Sequence, residues 1–200
     1  MRERLVVLGA GMAAARFVRE LLTAAPDRFA VTLVGAEAQA PYDRVQLSAV
    51  LAGERDAGTL RLLDTGILDR HDVRLRLGTS AEALDRPARR VLLGDGSTLA
   101  YDRLVLATGS RSIRLPLPGA DLPGVLTFRD LVDVERLMAA SGRAVVIGGG
   151  LLGLEAANGL AKRGLDVTVV HLMPWLMERQ LDREAALVLQ RQLERPGIRF

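Results

Sequence analysis

The chain has 200 residues, 49% of them apolar and 26% charged, with a formal net charge of +3 and no cysteine. That length can bury a sizeable core in one or two domains, and the composition is that of a folded globular protein. Disulfides, thiolate metal sites and a redox dithiol are excluded within these residues.

The first predicted unit runs strand, turn, helix, strand. Leu5 to Leu8 is an apolar run, Gly9-Ala10-Gly11 is a turn, and Met12 to Ala25 suits a helix with Phe17, Val18, Leu21 and Leu22 at helical spacing. Pro26-Asp27 ends it, and Val31-Thr32-Leu33-Val34 reads as a buried strand. The early glycine turn is unlike a signal peptide, and no apolar stretch reaches the ~18–20 residues of a membrane span, so the expected location is cytoplasmic.

Pro41 to Arg44 leads into a short helix ending at Leu51, and a second helix is expected over Leu60 to Arg70. Val73 to Leu77 alternates as a strand. Two hairpin-like strands follow near Ser80–Leu84 and Arg90–Leu93, with Asp95-Gly96 as a turn after them. Tyr101 to Leu106 is read as the next strand, ending in Ala107-Thr108-Gly109-Ser110. Proline and glycine crowd residues 111–124, the mark of a crossover. A helix is expected over Arg129 to Ala140.

After Gly142 the opening pattern returns: strand Ala144 to Ile147, turn Gly148-Gly149-Gly150, helix Leu151 to Arg163, strand Val167 to Val170. An amphipathic helix over Asp182 to Arg195 and the start of another strand at Gly197 to Phe200 complete the chain. The expected fold class is therefore α/β, with two Rossmann-like three-layer units, the second inserted in the first and truncated. The expected domains are 1–115 and 116–200.

Gly9-Ala10-Gly11-Met12-Ala13-Ala14 fits the dinucleotide fingerprint G-x-G-x-x-G/A. Gly9 permits the sharp turn, Gly11 lets the backbone approach a pyrophosphate, and Ala14 lets the helix lie close to the sheet. The helix start then offers free N–H groups and a positive dipole end to an anion. Gly148, Gly150 and Gly153 repeat the pattern, with Glu155 two residues later. Two matched copies with matched flanks make a chance glycine turn a poor account of either.

The basic side chains are almost all arginine, Lys162 being the single lysine, and Arg2, Arg4, Arg16, Arg19 and Arg28 alternate with acids and apolar residues. No basic run is interleaved with aromatics, so nucleic acid is not an expected partner. The two histidines, His71 and His171, lie far apart with no carboxylate cluster at ligand spacing, and no metal site is expected. No nucleophile-elbow pattern is present, so no catalytic side chain is assigned.

Four segments together resemble the FAD-dependent pyridine-nucleotide oxidoreductases across essentially the whole chain. They are the opening Leu-Val-Val-Leu-Gly-Ala-Gly, Tyr42 to Ser48, Tyr101 to Ser110, and Gly148 to Ala157. Leu176 to Asp182 most resembles the flavin module of assimilatory NAD(P)H nitrite reductase large subunits, with rubredoxin and ferredoxin reductases as near relatives. The resemblance implies FAD at Gly9, Gly11 and Ala14, with Glu37 near the adenosine ribose, Arg44 facing the flavin, the Ala81 backbone at the adenine, and Thr108 and Gly109 in a second FAD-contacting turn. It implies NAD(P)H at Gly148, Gly150, Gly153 and Glu155.

This sequence departs from those relatives at three places. Ala49 stands where ferredoxin-reductase types often carry lysine, no cysteine pair lies near residues 44–52, and His171 stands where NAD-preferring relatives carry an acid. An acid there accepts from ribose hydroxyls and repels a 2′-phosphate, so the choice between NADH and NADPH stays open. The resemblance implies hydride transfer from NAD(P)H to FAD and electron transfer onward, with the cofactors carrying the chemistry. The acceptor it implies is a redox partner or a downstream sirohaem and iron–sulfur segment in nitrate assimilation. The alternatives are a rubredoxin or ferredoxin reductase, and a non-catalytic nucleotide-binding fragment that self-associates through uncovered apolar faces.

Overall fold

The computed structural model describes residues 2–200, with Thr65 described by its backbone alone. In chain order the elements begin β1 (Glu3–Leu8), α1 (Met12–Ala24), β2 (Phe29–Gly35), α2 (Leu47–Leu51), α3 (Thr65–Arg70) and β3 (Arg74–Leu77). They continue with β4 (Ala81–Asp85), β5 (Arg90–Leu93), β6 (Thr98–Ala100), β7 (Arg103–Leu106) and α4 (Leu131–Met138). The last are β8 (Arg143–Ile147), α5 (Leu151–Lys162), β9 (Asp166–Val170) and α6 (Arg183–Glu194). The chain forms two compact units: Met1–Asp43 with Leu60–Arg111, and Arg44–Thr59 with Ser112–Phe200.

The first unit has three layers. Its parallel sheet has the order β3-β2-β1-β7. Strand β1 is covered on both faces, which is why its sequence is continuously apolar instead of alternating. Leu5, Val7, Val31 and Leu33 pack on Ala14, Ala15, Val18 and Leu22 of α1. On the opposite face, Val6, Leu8 and Val34 pack on Val91, Leu93 and Tyr101 beside the antiparallel sheet β4-β5-β6. Each such fully buried aliphatic side chain contributes about 1.5–3 kcal/mol.

Two expected elements differ. The helix expected from Leu60 begins only at Thr65, because Asp64 caps it by accepting from the Gly66 N–H. The residues before it are taken up by another part of the chain: Leu62 N–H donates to the Pro41 carbonyl, and Tyr42 bridges Arg61. The Asp95-Gly96 turn leads into β6, which pairs antiparallel with β5 and which no sequence pattern predicts. The expected strand from Tyr101 starts instead at Arg103, because Asp102 turns outward to pair with Arg4 at 2.8 Å.

In the second unit, β8 and β9 pair in parallel, and α5 packs on both. Helix α2 packs on α4 and α5, with Leu51 fully buried against Gly159. The chain end continues the sheet pattern through a parallel bridge from Thr168 to Arg199.

Candidate functional site

The carboxyl ends of a parallel sheet are where its turns leave room for a ligand, above all where the strand order reverses. In the first unit that reversal falls between β1 and β7. Gly9 to Gly11 follow β1, Glu37 follows β2, Ala81 opens β4 just after β3, and Thr108 and Gly109 follow β7. The structure therefore brings Gly9, Gly11, Ala14, Glu37, Ala81, Thr108 and Gly109 to one unit, at or next to one edge of its sheet. Arg44, Gly148, Gly150, Gly153 and Glu155 belong to the second unit.

The two glycine turns start their helices alike. Helix α1 begins at Gly11 (φ −89°, ψ −171°) and α5 at Gly150 (φ −85°, ψ −179°). Neither has a side-chain cap and neither carries an acid in its first turn. The contrast is with α3, α4 and α6, which Asp64, Asp130 and Asp182 cap. A helix start without a capping carboxylate keeps its N–H groups and positive dipole end for an external anion. A Cβ added at Gly11, Gly109 or Gly150 would meet nothing within 4 Å, so open space lies over each. These positions thus fit a pyrophosphate.

The third fingerprint position differs in kind. Ala14 is fully buried against the sheet, whereas a Cβ on Gly153 would lie 2.0 Å from the Gly148 carbonyl oxygen. Helix α5 therefore sits tighter on its turn than any side chain allows. Glu155, on the next turn of α5, is half-buried, and desolvation raises its carboxyl above the ordinary carboxylate range.

Two predicted residues, Glu37 and Arg44, have partners that the sequence does not reveal. The Tyr42 hydroxyl donates to Glu37 Oε2 at 2.6 Å, which ties the carboxylate to the chain after β2. Arg44 donates through Nη1 to the Arg129 carbonyl at 3.1 Å. The turn carrying Arg129 is fixed by buried Asp133, whose Oδ2 accepts from the Thr127 hydroxyl and the Arg129 N–H. The sequence signal for that turn is the Asp130-Leu-Val-Asp133 helix start, a capping pattern.

His171 directly follows β9. Its Nδ1 accepts from the Gly149 N–H at 3.0 Å, so the neutral ring carries its proton on Nε2. Nε2 lies 3.1 Å from the Trp175 carbonyl and 3.2 Å from Glu178 Oε2. Among the described residues no group of histidine and carboxylate side chains is arranged to hold a metal ion. Among them, too, no helix is long and apolar enough to cross a membrane.

Residues 3–200 match the family model described as pyridine nucleotide-disulphide oxidoreductase. The chain is 44% identical to nitrite reductase [NAD(P)H] of Bacillus subtilis (strain 168), aligning over all of this chain and 25% of that protein. It is 40% identical to the assimilatory nitrate reductase electron transfer subunit of the same organism, over all of this chain and 26% of that one. Among solved structures, a ferredoxin reductase for the CYP199A2 system from Rhodopseudomonas palustris superposes with a TM-score of 0.87 at 32% identity. That superposition covers 99% of this chain and 50% of the reductase. The chain thus spans about a quarter of the curated relatives and about half of the solved one.

Proposed function

The chain belongs to the pyridine nucleotide-disulphide oxidoreductase family, and on that premise we propose that it is the nucleotide-binding part of an FAD-dependent NAD(P)H oxidoreductase, the flavin module of a nitrite reductase. The observation that carries this reading is the pair of uncapped glycine helix starts, one in each unit, beside three aspartate-capped ones.

In the first unit Gly9, Gly11 and Ala14 would hold the FAD pyrophosphate on α1, with Thr108 and Gly109 as the neighbouring turn. Glu37 would stand near the adenosine with one carboxylate oxygen already accepting from Tyr42, and the Ala81 backbone near the adenine. Arg44 would face the flavin, as the family resemblance implies. Gly148, Gly150 and Gly153 would hold NAD(P)H on α5, with Glu155 on the following turn. A flavin held there would supply hydride-accepting and electron-donating chemistry between a pyridine nucleotide and an acceptor beyond these residues. The protein's part is to offer backbone N–H groups, exclude a competing carboxylate from both helix starts, and fix the turns. No cysteine in these residues can serve as a thiol relay.

The test uses the full-length protein. A flavin absorption spectrum that bleaches anaerobically on addition of NADH or NADPH, followed by nitrite consumption, is the expected result. A protein that neither carries nor takes up FAD overturns the reading. Reduction of a small iron–sulfur protein without nitrite consumption would assign it to the ferredoxin reductases, a reading favoured by the superposition on one of them.

A further inference from the structure

The two turns are equivalent residue for residue, because Gly9 N–H donates to the Val34 carbonyl as Gly148 N–H donates to the Val170 carbonyl. Ala10 therefore corresponds to Gly149, and Gly35 to His171. In the first turn the side chain is on Ala10, and a Cβ on Gly35 would lie 2.5 Å from the Ala10 Cβ. In the second turn the side chain is on His171, and a Cβ on Gly149 would lie 2.8 Å from His171 Cγ and 2.6 Å from Leu176 Cδ2. The glycine has changed places, and an imidazole fills the space it leaves.

We propose that His171 is a positioning residue for the pyridine-nucleotide turn: it holds Gly149 by its N–H, and so fixes the backbone amides at the start of α5 in the shape that receives a dinucleotide pyrophosphate. This rests on the functional reading given above. Both ring nitrogens are engaged within the protein, Nδ1 by Gly149 and Nε2 by Trp175 and Glu178. The Met177 N–H donates back to the Gly149 carbonyl at 2.9 Å, so the middle residue of the turn is clasped on both sides of its peptide chain. Gly149 occupies a fingerprint position that tolerates any residue in general. Here any Cβ would press on His171 and Leu176 while His171 is present. It follows that residue 171 acts on NADH and NADPH equally, through the turn, and does not itself read the adenosine ribose.

The test is a three-variant series in the full-length flavoprotein: His171→Ala, His171→Asn and His171→Gln. The asparagine amide oxygen can stand near Nδ1, and the glutamine oxygen near Nε2. Dissociation constants for NADH and NADPH, the split between KM and kcat, and hydrogen exchange at the Gly149 amide without nucleotide are the readouts. His171→Ala should weaken both nucleotides by about five- to tenfold, the effect of one net hydrogen bond. It should leave kcat at saturating nucleotide nearly unchanged and speed exchange at Gly149. His171→Asn should restore binding and protection, and His171→Gln should not. If the alanine variant fails to fold, the asparagine and glutamine pair decides alone.

Rescue by glutamine instead of asparagine, a changed NADH-to-NADPH ratio, or unaltered binding in all variants overturns the positioning role. Wild-type protein that binds neither nucleotide overturns the functional reading and this role together, and is told apart by needing no variant.

Discussion

The two glycine turns share a fingerprint, a helix start and a strand register, yet different parts of the protein enforce their shapes. In the first, a Cβ at Gly9 (φ +114°) would lie 1.9 Å from the Ala107 carbonyl oxygen, because β7 pairs alongside β1 and ends there. In the second, Gly148 has the same backbone (φ +117°) but a Cβ would meet nothing within 4 Å. Its constraint comes instead from the middle glycine and His171, and from Gly153 lying on the turn itself. The lesson is that one motif can be held by its neighbouring strand in one copy and by the chain after its second strand in the other.

The largest test of that difference is alanine at the equivalent glycines. Gly9→Ala should destabilise the protein by about 3–5 kcal/mol, since the clash is with backbone that cannot move aside cheaply. Gly148→Ala should be limited to its unfavourable φ, about 2 kcal/mol. Thermal or denaturant unfolding of the two variants checks the ratio, and equal losses would erase the distinction.

The next effect is on the exchanged glycine. Gly149→Ala should lose about 1–3 kcal/mol by overpacking against His171 and Leu176. Adding His171→Gly recreates the Ala10–Gly35 arrangement of the first turn, and the pair should recover at least about 1 kcal/mol in a double-mutant cycle. Simple additivity would break the correspondence.

A smaller effect is expected at Thr79, which follows β3 in the first unit. Its hydroxyl is buried without a hydrogen-bond partner, while its N–H donates to the Gly35 carbonyl. Thr79→Val removes an unsatisfied hydroxyl at constant shape, and should raise stability by up to about 1 kcal/mol without altering the β2–β3 register. A loss of stability on unfolding would show that the hydroxyl is used.

The smallest effect is electrostatic and common to both units. Arg4 holds the Asp102 carboxyl well below the usual range, chiefly through its side-chain hydrogen bond, and Arg199 lowers Asp166 in the same way. A carboxyl depressed in the folded state contributes stability that is complete above about pH 4, the ordinary aspartate range, and is lost as pH falls through its folded value. Both pairs are exposed, so Asp102→Asn and Asp166→Asn should cost little at neutral pH and less in high salt. The difference from the unaltered protein should vanish at acidic pH, and a difference that grows on acidification would reverse the sign.

Much of this was legible along the chain. The alternation and apolar runs of β1, β2, β8 and β9, the helical spacing of α1, and both fingerprints are local patterns, and local patterns survive in sequence. The helical apolar spacing of Leu60 to Leu63 predicts a longer α3 than the structure has, because their backbone is claimed by Pro41 and Tyr42 from far along the chain. Strand β6 is not legible in the sequence because Thr98-Leu-Ala is too short to show a period. The site residues are legible as motif positions, but their holders are not. Nothing near Arg44 announces Arg129 and Asp133, and nothing near Glu37 announces that Tyr42 will take one carboxylate oxygen.

The amino-acid sequence by itself determined that there are two turns, that each opens a helix on glycine, and that no aspartate stands at either start. Only the tertiary structure decided which position in each turn must lack a side chain. The space at a turn is set by whatever strand or loop returns to it: Ala107 at Gly9, Ala10 at Gly35, His171 and Leu176 at Gly149. A fingerprint records where backbone must come close to a ligand, and contact between distant residues records where backbone must come close to protein.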